Sequence, residues 1–386
     1  MSFSGALVQN AIYIARQPPE WPVDADGWER AAEERLAPGP FGYVAGGAGG
    51  ESTMRANLEA FERWRIRPRM LTGNVQRDQS VEVLGLRSAA PFLLAPIGVL
   101  SIVHEEAELG AARAAAAAGV PFTLSSAATH SIEQIAEAGG PRWFQLYWVN
   151  DRDICASFVS RAEAAGYSAI VVTLDTLTLA WRPRDLRQAY LPFLEGEGCG
   201  QFFSDPVFRS RLDRPPDEDL LTAAATMLAT FPNVGLTWDD LDWLRSRTSL
   251  PLLAKGVLTA EDARRALDHG MDGVIVSNHG GRQVDGAVAA LDALVEVRDA
   301  LPDATVLMDG GVRRAADVVK AVALGADAVL LGRPYAYALA VGGRRGVEEL
   351  IQNLMAEIDL TLALAGATSI RDLDRSWLQR QIAASS

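Results

Sequence analysis

The residues of this chain that could move a proton or grip an anion are few, and each falls where an apolar run ends. Only four histidines occur. One of them, His279, lies in Ser277-Asn-His-Gly-Gly-Arg282, where an apolar run gives way to glycines, and it is the acid–base candidate. His104 and His269 fall in helix-like segments or at their ends, and His130 follows a strand-like run; structural or solvent-facing places suit all three. Asp175 closes another apolar run and could hold a histidinium in orientation and charge. Arg182 and Arg282 could converge on one carboxylate, because a guanidinium fork matches carboxylate geometry. The competing reading for Arg182, inside Trp181-Arg-Pro-Arg-Asp185, is a loop ion pair with Asp185.

A second group of residues suits a phosphate. Asp309-Gly-Gly-Val-Arg313 and Gly332-Arg-Pro334 each join glycines, whose N–H groups can approach an anion closely, to an arginine. Ser125, Gln145, Thr173 and Lys255 also stand at the ends of apolar runs, a donor and acceptor set suited to a flat heterocycle. Burying the Lys255 ammonium requires a negative partner. A ring that becomes anionic on reduction would supply one. Flavin mononucleotide fits that description, and a sugar phosphate substrate is the alternative that residue types alone leave open.

These positions imply a scaffold. From about residue 90, strand-length apolar runs alternate with Ala-rich amphipathic stretches. The expected strands are Pro91–Val99, Phe122–Ser126, Trp143–Trp148, Ala169–Asp175, Leu250–Val257, Gly273–Asn278, Thr305–Gly310 and Ala328–Gly332. Helices are expected over Glu105–Ala118, Ile132–Ala138, Asp151–Ala165, Ala260–His269, Leu291–Ala300 and Arg314–Leu324. Apolar runs without alternation suit parallel strands covered on both faces. Eight such units predict a (β/α)8 TIM barrel, in which chemistry gathers at the C-terminal ends of the strands. A doubly wound open sheet is the rival, but no Gly-x-Gly-x-x-Gly joins the first strand to its helix. The polar residues sort to one end of the runs, as an active site requires. About residues 1–90 form a helical cap, about 91–366 the barrel, and about 185–236 a long insertion after the fourth strand, suited to a lid or a surface excursion. Together they make one domain, 1–386. The helix after the insertion should begin near Thr237-Trp-Asp-Asp240.

Composition narrows the rest. The chain has 386 residues, 36 Lys plus Arg against 49 Asp plus Glu, and a formal charge of −13. That balance argues against binding nucleic acid through its phosphate backbone. No apolar run is long enough to span a bilayer, and Met1–Pro22 has no signal-peptide core. Two cysteines, Cys155 and Cys199, make neither a disulfide framework nor a zinc site, so no metal is expected. A cytoplasmic enzyme is the expectation.

Taken together, Ser277-Asn-His-Gly-Gly-Arg-Gln283, Phe144-Gln-Leu-Tyr147, Thr173-Leu-Asp175, Leu253-Ala-Lys-Gly256 and the two Gly/Arg turns resemble the FMN-dependent L-2-hydroxy-acid oxidases and dehydrogenases. The resemblance begins in the cap at Tyr43-Val-Ala-Gly-Gly-Ala48 and runs over nearly the whole chain. Within the family, Ala95-Pro-Ile-Gly-Val99, Trp181-Arg-Pro-Arg-Asp-Leu186 and Ser204-Asp-Pro-Val-Phe208 are most similar to lactate 2-monooxygenase.

The resemblance implies roles residue by residue. His279 would be the catalytic base, Asp175 its partner, and Tyr147 a hydrogen-bonding partner of the substrate oxygen. Tyr43, Arg182 and Arg282 would bind the carboxylate. Pro96, Ile97, Gly98, Ser125, Gln145, Thr173 and Ser277 would contact the flavin, with Lys255 near its N1 and O2. Arg313, Gly332 and Arg333 would hold the phosphate, and Asp309 and Gly311 would also belong to the cofactor site. Relatives usually carry Ala where this chain has Gly98, beside the reactive N5. Ala127, Leu177 and Leu179 replace bulkier residues and could enlarge an apolar pocket. The resemblance implies oxidation of an L-2-hydroxy acid by dioxygen, either with oxidative decarboxylation of retained 2-oxo acid or with release of 2-oxo acid and hydrogen peroxide. It also implies a homo-tetramer or octamer.

Overall fold

The computed structural model describes residues 4–381. Eight parallel strands close into a barrel: β1 Phe92–Leu94, β2 Phe122–Ser125, β3 Arg142–Tyr147, β4 Ile170–Thr173, β5 Leu252–Val257, β6 Gly273–Val276, β7 Thr305–Met308 and β8 Ala328–Leu331. β8 pairs with β1 through Val329↔Phe92, Leu330↔Leu93 and Leu331↔Leu94, which completes the ring. Most strand residues are fully buried on both faces, which explains their unbroken apolar runs. The open-sheet alternative is excluded by this closure.

All the strands but β5 are shorter at their C-terminal ends than expected. β1 stops at Leu94, and Ala95–Val99 leaves the ladder because Pro96 has no N–H to give it and Val99 turns left-handed, at φ 61°. A β-branched residue in that region is strained, and such strain gathers at functional loops. The polar residues therefore sit on loops at the barrel mouth, held by short rigid strands.

Four helices precede the barrel: α1 Gly5–Ala15, α2 Ala25–Arg35, α3 Pro38–Ala45 and α4 Ser52–Glu62. α4 takes its N-terminal cap from a distant residue. The Asp285 carboxylate, six residues beyond His279, accepts from Gly50 N at 2.6 Å, Ser52 N at 2.7 Å and the Ser52 hydroxyl at 2.6 Å. These bonds hold its pKa near 2, so the cap and the His279 loop are tied by a charge that helix N-termini favour.

The expected helices are present as α5 Ala107–Ala118, α6 Ile132–Ala136, α7 Arg152–Ala164, α13 Ala260–Asp268, α14 Ala290–Ala300 and α15 Ala315–Ala323. Between them, α8 Pro183–Arg187 leads into the insertion, and residues 185–236 go on to hold α9 Gly200–Phe203, α10 Pro206–Arg209 and α11 Leu220–Thr230. The fourth strand's own helix follows as α12 Asp239–Arg245, where the Asp240 carboxylate accepts from Thr237 N at 2.8 Å. The insertion's helices and α16, Arg333–Ala365, escaped sequence analysis; α16 is two helical segments that meet at a kink at Gly343, where φ is 58°. No helix among the described residues is long and apolar enough to cross a membrane.

Candidate active site

The loops at the C-terminal ends of the strands line a partly open cavity. Its lining includes Tyr43 from α3, Pro96, Ile97 and Gly98 after β1, Tyr147 from β3, Lys255 from β5, His279 and Arg282 after β6, Asp309, Gly311 and Arg313 after β7, and Gly332 and Arg333 after β8. Arg182, from the start of the insertion, completes the set. Residues scattered over three hundred positions of sequence thus converge on one space.

His279 Nδ1 lies 2.9 Å from Asp175 Oδ1, and its Nε2 lies 3.4 Å from the Tyr147 hydroxyl. The Thr176 hydroxyl donates to the same Asp175 oxygen at 2.9 Å and stands 3.2 Å from His279 Nδ1. Burial lowers the His279 pKa below 6.5, with Lys255 and Arg182 acting the same way and only Asp175 opposing. Burial would raise Asp175, but His279 and Lys255 hold its carboxyl below the ordinary value. The pair is therefore a neutral imidazole on a carboxylate, with Nε2 directed toward the Tyr147 hydroxyl. Such a pair can take up a proton at Nε2 and stabilise the resulting cation. The same charge needs room behind it. Gly256, at φ 105°, is the only residue type that fits there, since a Cβ would stand 2.6 Å from that of Asp175.

Two cations lie beside the pair without a carboxylate bonded to either. Arg182, buried, donates to the Arg282 carbonyl at 3.1 Å and to Gln283 Oε1 at 2.9 Å; the loop ion pair with Asp185 does not form. Arg282 donates one nitrogen to the carbonyls of Tyr43 and Gly46, at 2.6 and 2.8 Å, and lies over the Tyr43 ring, 5.1 Å from its centroid. Burial and the neighbouring Arg182 charge pull its pKa down to about 9. A guanidinium does not give up its proton at neutral pH, so this shift expresses an unanswered positive charge. Carbonyl dipoles orient these arginines but leave their charge to be met by an anion.

Arg333 gives its nitrogens to the carbonyls of Val44, Gly46 and Gly280 at 2.8–3.0 Å, and it shares the Gly46 carbonyl with Arg282. Burial lowers its pKa to about 10. Arg313 and the backbone of Gly310-Gly311 and Gly332 lie on the same cavity. Lys255 lines it too. The sequence left its negative partner to a ligand, but the protein supplies one: Asp309 Oδ2 lies 3.0 Å from Nζ, and the Ser277 hydroxyl accepts from Nζ at 2.9 Å. Burial opposes the Lys255 charge, and Asp309 with Asp175 outweighs it.

Ser125, Gln145, Thr173 and Ser277 are buried and bonded to other side chains, not part of the lining just described. Gln145 donates to Thr173 Oγ1 at 2.8 Å and accepts from Ser125 Oγ at 3.0 Å. Ser277 donates to Asp309 Oδ1 at 2.5 Å. Leu177 also misses the cavity, while Ala127 and Leu179 line it. The apolar wall holds two residues that sequence analysis missed, Phe193 and Phe231, both from the insertion. The other three histidines take structural partners: Glu106 for His104, Glu108 for His130 and Asp242 for His269.

A cavity lined by Arg182, Arg282, Arg313, Arg333 and Lys255, with glycine turns beside them, suits an anionic ligand carrying a phosphate and an electron-rich ring together with a small carboxylate. The model of FMN-dependent dehydrogenases matches residues 32–380. This chain belongs to that family. It is 43% identical over 358 residues to the FMN-dependent alpha-hydroxy acid dehydrogenase qulF of Penicillium citrinum, covering 91% of this chain and 89% of that one. It is 42% identical to an L-lactate oxidase of Lysinibacillus sphaericus (strain C3-41), over 93% of each chain. An active mutant of (S)-mandelate dehydrogenase superposes with a TM-score of 0.85 at 38% identity, over 93% of this chain and 99% of the other. Mandelate oxidase superposes at 0.83 and 39% identity, over 94% and 99%. The protein is accordingly an FMN-dependent α-hydroxy-acid oxidoreductase, and the donor set described above fits FMN.

Proposed function

We propose that this protein oxidises an L-2-hydroxy acid with dioxygen and holds the 2-oxo acid long enough to decarboxylate it, as a lactate 2-monooxygenase does. With lactate, the balanced products are acetate, carbon dioxide and water. The observation that carries the first half is the His279–Asp175 pair, at 2.9 Å, beside two arginines with no carboxylate bonded to them.

Arg182, Arg282 and the Tyr43 hydroxyl receive the substrate carboxylate. The hydroxyl then lies toward Tyr147 and His279 Nε2, which takes its proton. Asp175 steadies the imidazolium through Nδ1, an effect of several kcal/mol in a water-poor site. Bound FMN would supply the two-electron acceptor for C2 and the means of passing those electrons to dioxygen. Arg313, Arg333 and the glycines of the last two turns would hold its phosphate, and Lys255 would sit by its pyrimidine side. Ser125, Gln145, Thr173 and Ser277 would support that wall. Pro96, Ile97 and Gly98 would lie against the ring.

One observation supports retention. Phe193 and Phe231 bring the insertion onto the cavity as an apolar wall. Gly98 adds no free space, because Ala127 already fills the place of a methyl: a Cβ would stand 2.7 Å from its carbonyl oxygen. The second reading, an oxidase that releases the 2-oxo acid and peroxide from a larger substrate, is favoured by the apolar wall of Ala127, Leu179, Phe193 and Phe231. Product analysis in air decides between them, using L-lactate and longer L-2-hydroxy acids with catalase present to destroy free peroxide. A shortened acid supports retention; the 2-oxo acid alone supports release. The same reading carries an oligomer of four or eight copies and a cytoplasmic location, which light scattering and fractionation test.

A further inference from the structure

The hydrogen bonds of Gln283 tie together two parts of the site that the chain reaches separately. Its Oε1 accepts from Arg182 Nη2 at 2.9 Å, and its Nε2 donates to the Asp175 carbonyl at 2.8 Å and to the Thr178 carbonyl at 3.2 Å. Only one orientation of the amide satisfies all three, because a guanidinium can only donate and a carbonyl can only accept. Arg182 has no acidic partner to hold it, and its other bond, from Nε to the Arg282 carbonyl at 3.1 Å, comes from the same loop as Gln283.

We propose that Gln283 is a positioning residue that fixes Arg182, and hence the carboxylate grip, at a set distance from the loop carrying Asp175. The proposal rests on the reading that Arg182 binds the substrate carboxylate. An amide suits this place because its oxygen orients the guanidinium without neutralising it. A carboxylate there would cancel the charge the substrate needs and would face the Asp175 and Thr178 carbonyls with no proton to donate.

The test is a double-mutant cycle on the FMN-loaded protein, read as anaerobic bleaching of the flavin by L-lactate and by (S)-mandelate. Wild type must bleach with at least one of these acids; if it does not, the functional reading fails, whatever Gln283 does. Given bleaching, Gln283→Met should raise the apparent Kd of the acid about ten- to a hundredfold, the range for a lost hydrogen bond to a charged group. In an Arg182→Met background the same change should alter Kd less than twofold. Gln283→Glu, which keeps the side chain's size, should weaken binding at least as much. An unchanged Kd in Gln283→Met, or an equal loss with and without Arg182, would overturn the proposal. Flavin content and melting temperature identify a variant that has failed to fold, and Gln283→Glu then decides by the same cycle.

Discussion

Replacing Asp175 by Asn keeps the shape of the site and removes one charge. The side chain of Asp175 is 11% exposed and that of His279 17%, so their interaction is only partly screened. With the Nδ1–Oδ1 contact at 2.9 Å, the charge centres of an imidazolium and a carboxylate stand about 4 Å apart, worth about 4 kcal/mol at an effective dielectric of about 20. The asparagine dipole recovers part of this, leaving a loss of about 3–4 kcal/mol, or about 10²- to 10³-fold in the reduction rate. The Thr176 hydroxyl, 3.2 Å from Nδ1, still steadies the ring, so the loss reports charge more than orientation. Stopped-flow bleaching at saturating substrate measures it. The pH profile gives a second signature. His279 must be neutral to accept a proton, and its pKa is lowered by burial while Asp175 raises it. In wild type the acid limb of kcat/KM should therefore fall below pH 6.5, the ordinary histidine value. Without the Asp175 charge it should move lower still: a slower enzyme, but a more acid-tolerant one. A rate within tenfold of wild type, or a limb displaced upward, would refute the assignment of Asp175 as the electrostatic partner.

Other perturbations reach other parts of the site. In Gly98→Ala the new Cβ would stand 2.7 Å from the Ala127 carbonyl oxygen and 2.9 Å from its Cβ, so backbone must move. We expect a cost of about 1–3 kcal/mol, read as a lower melting temperature, together with more 2-oxo acid and peroxide; an unchanged melt would show that the contact is not tight. Arg282→Met should weaken the hydroxy acid about a hundredfold or more with a smaller effect on the limiting rate, since it removes a charge no side chain neutralises; titration of the anaerobic flavin measures it, and an unchanged Kd would remove Arg282 from the grip. Phe231, whose ring centroid lies 5.0 Å from that of Tyr147, bounds the apolar wall. Phe231→Ala should raise kcat/KM for bulky L-2-hydroxy acids relative to L-lactate by about tenfold or more, and an unchanged ratio would place the side-chain pocket elsewhere.

Much of this site was legible because the barrel strands are buried on both faces. Against runs such as Leu252-Leu-Ala254, the lysine at 255 stands out, and a polar residue there can only belong to the mouth of the barrel. His279, Arg282 and Arg333 were visible for the same reason. The partner of Lys255 was not: Asp309 comes from another strand end, and nothing local to either residue announces their 3.0 Å contact. Phe193 and Phe231 escaped because an apolar residue in an insertion reads as local packing until the insertion is seen to lie over the cavity. α16 carries a real kink at Gly343, as the glycine pair there suggests, but the helical segments on either side of it were missed. The buried serines, threonine and glutamine were found by position, but their bonds to one another depend on strand register, which single runs do not reveal.

The central claim is that His279 removes a proton from an L-2-hydroxy acid so that the flavin can be reduced. Anaerobic mixing of the FMN-loaded protein with L- and D-lactate and with both mandelate enantiomers tests it most directly. The account predicts rapid bleaching by an L acid, little by its mirror image, and a loss of several orders of magnitude in His279→Ala with flavin content unchanged. Fast bleaching retained in His279→Ala would contradict it.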